Sequence, residues 1–204
     1  MSTASRPLRV VAVSGSLTAP SRTTALVEAI SEAFGRVLPI EPHLIALNEL
    51  GPHLAGALTR KQLPPEAEAE LQRIENADLL IVATPVYRAS FTGLFKYLFD
   101  FVDQYALVDT PVLLAATGGS ERHALIIEHQ LRPLFGFFQS LALPVGVYAH
   151  DSDFTDYKIS DEGLTDRIEK AVSRALPLVR SSFEERETIE RTLAGEEALE
   201  PVSD

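Results

Sequence analysis

The stretch VVAVSGSLTAPSRTTALVEAI, residues 10–30, sets six hydroxyl side chains around one glycine, between an apolar run and an amphipathic one. Ser14, Ser16, Thr18, Ser21, Thr23 and Thr24 can donate to the oxygens of an anion, Gly15 lets the backbone come close, and Arg22 adds a charged fork. If a strand hands over to a helix here, the first helical turn contributes unpaired N–H groups and a partial positive charge. That combination suits a phosphomonoester. Helix capping and turn formation account for the same hydroxyls without a ligand, so the stretch alone leaves both readings open. It is not a P-loop, which needs a further glycine followed by lysine, and it lacks the second and third glycines of the dinucleotide G-x-G-x-x-G.

Two later segments carry similar potential. TPVYRASFTGLFKYLFDF, from Thr84, follows a buried run and offers Pro85, Val86 and Tyr87 as a rigid apolar ledge for a planar ring, or simply as a core turn. TGGSERH, from Thr117, follows another. The net charge of −11 leaves no Lys/Arg run to release counterions from nucleic acid, and the same balance speaks against anionic membrane surfaces. With no cysteine there is no disulfide, zinc-thiolate site or thiol nucleophile, so any redox chemistry must come from a cofactor. No apolar run approaches the ~18 residues of a membrane span, which reads as a soluble cytoplasmic protein.

These segments need elements to position them. Leu8–Val13 reads as a strand and Arg22–Phe34 as a helix with Leu26, Ile30 and Phe34 on one face. His43–Leu47 is a weaker strand, and Pro64–Ala77 a helix with proline in its first turn. Asp78–Thr84 and Pro111–Thr117 are nearly all apolar, as parallel strands covered on both faces are. Thr92–Asp103 and Ser120–Leu141 read as helices, Leu143–Ala149 as a fifth strand, and the last helix starts near Gly163. Alternating strands and helices imply right-handed crossovers and an α/β doubly wound, three-layer sandwich, whose ligands sit beyond the carboxyl ends of the strands. The acidic stretch from Glu184 to Asp204 is expected to fray, leaving residues 1–183 as the single domain.

Taken together, SGSLTAPSRTT, TPVYRASFTGLFKYLFD and ATGGS at three strand ends resemble the NAD(P)H-dependent FMN reductase family. The likeness spans roughly residues 8–175 and is nearest to the branch that supplies reduced flavin to two-component monooxygenases of alkanesulfonate and methanesulfonate desulfonation. It implies a flavodoxin-like fold, strand order 2-1-3-4-5, binding FMN and using NADH or NADPH. Ser16, Ser21, Arg22 and Thr23 match the family's phosphate loop, with Ser14 beside them. Pro85, Val86, Tyr87 and Arg88 match the loop beside the isoalloxazine ring, and Thr117, Gly118 and Gly119 the loop at its other edge. Small residues there leave room for a flat ring and a stacked nicotinamide. Hydride transfer needs positioning rather than a protein base, so no catalytic side chain is assigned. A quinone or azo-dye reductase with tightly held FMN and a non-enzymatic flavodoxin-like carrier are the alternatives.

Where many members carry arginine two residues after the GS pair, this chain has Thr18, which implies weaker phosphate binding and a flavin that leaves reduced. Ala124–Leu141 is apolar nearly all round, more than one sheet face covers, so a homodimer or homotetramer through residues 120–141 is expected. Pro133 lacks the N–H that would bond the His129 carbonyl, predicting a kink or π-bulge. His123 and His129 do not share a helical face, which argues against a metal pair; His129 is expected at the interface. HDSDFTD, residues 150–156, lacks the glycine and glutamate of a calcium loop and reads as a strand-end loop with solvated carboxylates. Arg60 and Lys61 are candidates to meet a pyridine nucleotide phosphate, but read as a solvated loop.

Overall fold

Short apolar, β-branched runs become the strands of a parallel sheet in this computed structural model, which describes residues 6–197. β1 (Leu8–Ser14), β2 (Ile40–Ala46), β3 (Leu79–Pro85) and β4 (Pro111–Gly118) lie in the order β2-β1-β3-β4, with β5 (Leu141–Ala142) beyond β4. This is the flavodoxin-like order 2-1-3-4-5. Successive residues on a strand point to opposite faces, and the core divides accordingly. Val10, Ala12, Leu79 and Ile81 pack with Leu26, Ile30 and Phe34 of α1 (Arg22–Gly35) and with Leu164, Ile168 and Val172 of the C-terminal helix. Val11, Val13, Leu80 and Val82 face the other way, against α2 (Leu47–Leu54), α3 (Pro65–Glu75), α4 (Gly93–Phe99) and α5 (Arg132–Phe137).

Four expectations change. The fifth strand is interrupted: after β5 the chain leaves the ladder at Pro144, which has no N–H to donate, and rejoins β4 as β6 (Val147–His150). Gly146 in that gap passes so close to Leu114 and Ile127 that a Cβ would lie 2.9 Å from the Leu114 carbonyl oxygen and 2.7 Å from Ile127 Cγ2. The long helix over 120–141 is instead a 3-10 turn at Glu121–His123, a π-helical turn at Ile127–Leu131 and then α5. The π turn lies just ahead of Pro133, with Arg132 N–H donating to the Ile127 carbonyl five residues back. α2 has no counterpart in the sequence pattern because Gly51 and Pro52 interrupt it, yet Leu47, Leu50 and Leu54 bury one face.

The C-terminal helix, α6 (Glu162–Glu197), is the fourth difference: it continues past Glu184 instead of fraying there. Arg186 donates to the Ala77 carbonyl at 2.5 Å, and the Arg6 guanidinium lies 4.9 Å from the centre of the Phe183 ring. Glu190 reaches Arg6 and Arg9, each at 3.4 Å. Residues 198–204 of the acidic stretch lie outside the described residues. Among those described, no helix is long and apolar enough to cross a membrane.

Candidate flavin site

β1, β3 and β4 end level with one another, because Ser14 is in register with Ala83 and Pro85 with Thr117. The outgoing loops therefore meet along one edge of the sheet, where Val86 N–H donates to the Thr117 carbonyl at 2.9 Å. They enclose a cleft of about 290 Å³ lined by Ser16, Ser21, Arg22, Thr23, Pro85, Val86, Tyr87, Thr117, Gly118 and Gly119. Thr18, Pro20, Asp151 and Tyr157 complete the wall. Two expected residues do not line it. Ser14 is fully buried, its Oγ 2.8 Å from Thr24 Oγ1, and Arg88 is exposed outside the cleft lining.

The hydroxyls divide their work between fold and cleft. Ser21 caps α1, accepting from Thr23 N–H and Thr24 N–H at 3.1 and 3.2 Å, worth about 1 kcal/mol of helix stability. Thr23 Oγ1 lies 2.7 Å from Thr117 Oγ1 in the interior, tying the start of α1 to the end of β4. Ser16 Oγ donates to the Thr18 carbonyl at 3.0 Å and holds the loop's turn. What remains toward the cleft is the outer surface of Ser16, Thr18 and Ser21, the Arg22 N–H at the first helical position, and the Arg22 guanidinium. Among the described residues lining the cleft, Arg22 carries the one permanent positive charge.

Gly15 is needed by the protein itself. A Cβ there would lie 2.9 Å from the Phe95 ring and 3.0 Å from the Ala83 carbonyl, while Thr92 Oγ1 donates to the Gly15 carbonyl at 3.1 Å. Thr92 also accepts from Phe95 N–H, so one hydroxyl caps α4 and anchors the first loop. The ledge is a tight hairpin turn in which Tyr87 and Ser90 exchange both backbone hydrogen bonds, with Arg88 and Ala89 at φ of 51° and 65°. Neither is glycine, so the turn is strained by about 1–2 kcal/mol per residue, and it holds Tyr87 half exposed at the cleft.

On the opposite edge, the glycines answer to neighbours as well as to any ring. A Cβ on Gly118 would lie 2.6 Å from the Tyr148 hydroxyl and 3.3 Å from His123 Nδ1, and one on Gly119 would lie 3.1 Å from Asp151 Oδ2. Tyr148 donates to the Ser120 carbonyl at 2.7 Å; burial pushes its phenol above the usual range, so it remains a donor. His123 is beside the cleft edge, its Nδ1 buried without a hydrogen-bond partner, whereas His129 is exposed.

The chain matches the family model described as NADPH-dependent FMN reductase over residues 8–155. It is 60% identical over 174 residues to the NADH-dependent FMN reductase SfnF of Pseudomonas fluorescens, covering 85% of this chain and 93% of that one. This chain belongs to the NADPH-dependent FMN reductase family. An FMN reductase (NADPH) of Pseudomonas aeruginosa is 55% identical over 172 residues, covering 84% of this chain and 92% of the relative. Among solved structures, an oxidoreductase of Corynebacterium diphtheriae superposes with a TM-score of 0.77 at 34% identity, covering 88% of this chain and 99% of its own.

The cleft fits the flavin of such a reductase by its donor set: hydroxyls and one arginine at the helix start, an aromatic ledge on one side, paired glycines on the other. Arg60 and Asp153, expected to be solvated, are otherwise engaged. Arg60 grips Glu68 at 2.7 Å and Glu75 at 2.5 Å and donates to the Phe101 carbonyl; these bonds hold its guanidinium above its ordinary range. Asp153 is buried and paired with Arg167 at 2.6 Å, and Asp151 faces Arg22.

Proposed function

We propose that this chain is an FMN reductase that takes FMN into the cleft, oxidises NADH or NADPH there, and passes the reduced flavin to a partner monooxygenase of the sulfonate-desulfonating kind. The observation that carries the reading is the convergence of the hydroxyl-bearing start of α1, the Tyr87 ledge and Gly118–Gly119 on one cleft. Ser16, Ser21 and Arg22 hold the phosphate end, where Thr23 fixes the start of α1 through Thr117. Pro85, Val86 and Tyr87 support one side of the ring, while Thr117, Gly118 and Gly119 edge the other with backbone groups. When bound, FMN supplies the redox chemistry by accepting a hydride from the nicotinamide. The protein's share is orientation and exclusion of water, which the aligned strand ends provide.

The same reading makes the working form a homodimer or homotetramer joined through residues 120–141. Leu125 and Phe137 support this, standing 60% and 63% exposed on a segment whose Ile126, Ile127, Leu131, Phe135 and Phe138 are in the core.

Turnover tests the activity. With bound flavin stripped, NADH and NADPH oxidation should depend saturably on added FMN, and the protein should retain little flavin on desalting. A yellow protein that keeps its flavin and prefers a quinone acceptor would replace the reading with a quinone reductase. No oxidation of either nucleotide would leave a carrier.

A further inference from the structure

We propose that Asp151 acts as a built-in competitor for Arg22, and so sets how loosely the cleft holds a phosphate-bearing flavin. Asp151 belongs to none of the loops at the ends of β1, β3 and β4. It follows β6, yet its Oδ1 lies 3.4 Å from an Arg22 guanidinium nitrogen, in the wall of the same cleft. Its other oxygen rests over Gly119, 3.1 Å from where a Cβ would stand. One carboxylate therefore spans from the glycine edge to the cation at the start of α1.

The surroundings hold it there. Asp151 begins a short 3-10 turn whose neighbour Asp153 accepts from His150 N–H at 3.0 Å and from Arg167 at 2.6 Å. The chain then makes a hairpin, Phe154–Thr155 against Lys158–Ile159, turned by Asp156 and Tyr157 at φ of 48° and 61°. A tyrosine in the left-handed region is unusual, and such strain persists only where surrounding structure imposes it. The turn sets the Tyr157 ring beneath Arg22, with the guanidinium carbon 5.7 Å from the ring centre. Arg22 is thus seated between an aromatic face and a carboxylate before any phosphate arrives.

A phosphomonoester carries nearly two negative charges at neutral pH. To use Arg22 it must share or displace Asp151, and it then sits beside a like charge. Both effects oppose binding. The Arg22 and Asp151 side chains are 42% and 47% exposed, so water screens them and the combined effect is about three- to tenfold in affinity. A flavin without the phosphate meets neither. A hold weakened in this way suits a flavin that must leave once reduced.

The inference rests on the reading that the flavin phosphate lies at the Arg22 end. The test uses stripped protein and measures dissociation constants for FMN and riboflavin by flavin fluorescence, in wild type, Asp151→Asn and Asp151→Ser, with thermal melts to establish folding. The expected result is FMN binding tightened about three- to tenfold in both variants, with riboflavin unchanged within about twofold. Equal tightening of both flavins, or unchanged or weaker FMN in variants that fold, overturns the role of Asp151 while wild type still prefers FMN. Wild type binding FMN no better than riboflavin would instead remove the phosphate from Arg22, and the inference with it.

Discussion

Single residues at the start of α1 serve the fold and the cleft at once. Ser21 must remain a cap, and Thr23 is committed to Thr117, so neither can turn fully toward a ligand. That leaves charge as the variable easiest to alter. Thr18 is exposed at the cleft wall, and Ser16 donates to its backbone carbonyl, so its side chain can change without breaking the turn. Thr18→Arg should add one charge-assisted hydrogen bond, worth about 1.5–3 kcal/mol, and tighten FMN by on the order of tenfold or more. Unchanged FMN affinity on titration would show that Thr18 does not account for weak binding. The residue types that make this argument were legible in the sequence, because an excess of hydroxyls between a strand and a helix has few uses. Their partners were not. Thr23 and Thr117 are 94 positions apart, and Asp151 meets Arg22 only once the sheet brings the end of β6 beside the start of α1. No local pattern announces such pairs.

At the scale of elements, sequence patterning worked where burial was continuous along the element and failed where the chain was broken to make room. β3 and β4 read correctly because both their faces are covered, and α1 because its stripe is continuous. α2 is short and carries Gly51 and Pro52, β5 and β6 are parted by Pro144, and the stretch from Ser120 to Leu141 changes helix type twice. In that last stretch the proline announced the π turn, whereas the apolar composition concealed the breaks. The π turn matters for exposure: Ile126, Ile127, Leu131, Phe135 and Phe138 enter the core while Leu125 and Phe137 are left outside. Each exposed side chain would gain about 1.5–3 kcal/mol if a second copy covered it. Light scattering at micromolar concentration should therefore find a multiple of the 22.3 kDa chain, and Phe137→Glu should shift it toward the monomer. A wild-type monomer at that concentration would remove the interface from residues 120–141.

The molecule as a whole is closed at the end opposite the cleft by a buried carboxylate. Asp78, at the entrance to β3, is fully buried and receives Arg6 at 2.5 Å, Arg9 at 2.9 Å and Arg186 at 3.3 Å, while Arg9 N–H adds a bond at 2.8 Å. The three arginines come from the residue pair ahead of β1, from β1 and from α6, so one side chain fastens Arg6 and α6 to the sheet. Burial alone would raise the carboxyl, but the hydrogen bonds from Arg6 and Arg9 outweigh it and hold it well below the usual carboxylate range. A depressed folded value means that the unfolded chain takes up the proton first as pH falls. The network's full contribution is thus present above the unfolded aspartate value of about 3.9 and declines as acid carries the protein below it toward the folded value. Asp78→Asn leaves the guanidiniums facing a neutral amide and should cost about 3–5 kcal/mol at pH 7. Urea unfolding at pH 7 and again near pH 3 tests both parts: the gap between wild type and Asp78→Asn should be wide at neutral pH and measurably smaller near pH 3, because the fall has begun there and is completed only at lower pH. A gap of the same size at both would mean that shape rather than charge holds Arg6 and α6, and a negligible gap at pH 7 would mean that α6 is held by its apolar face alone.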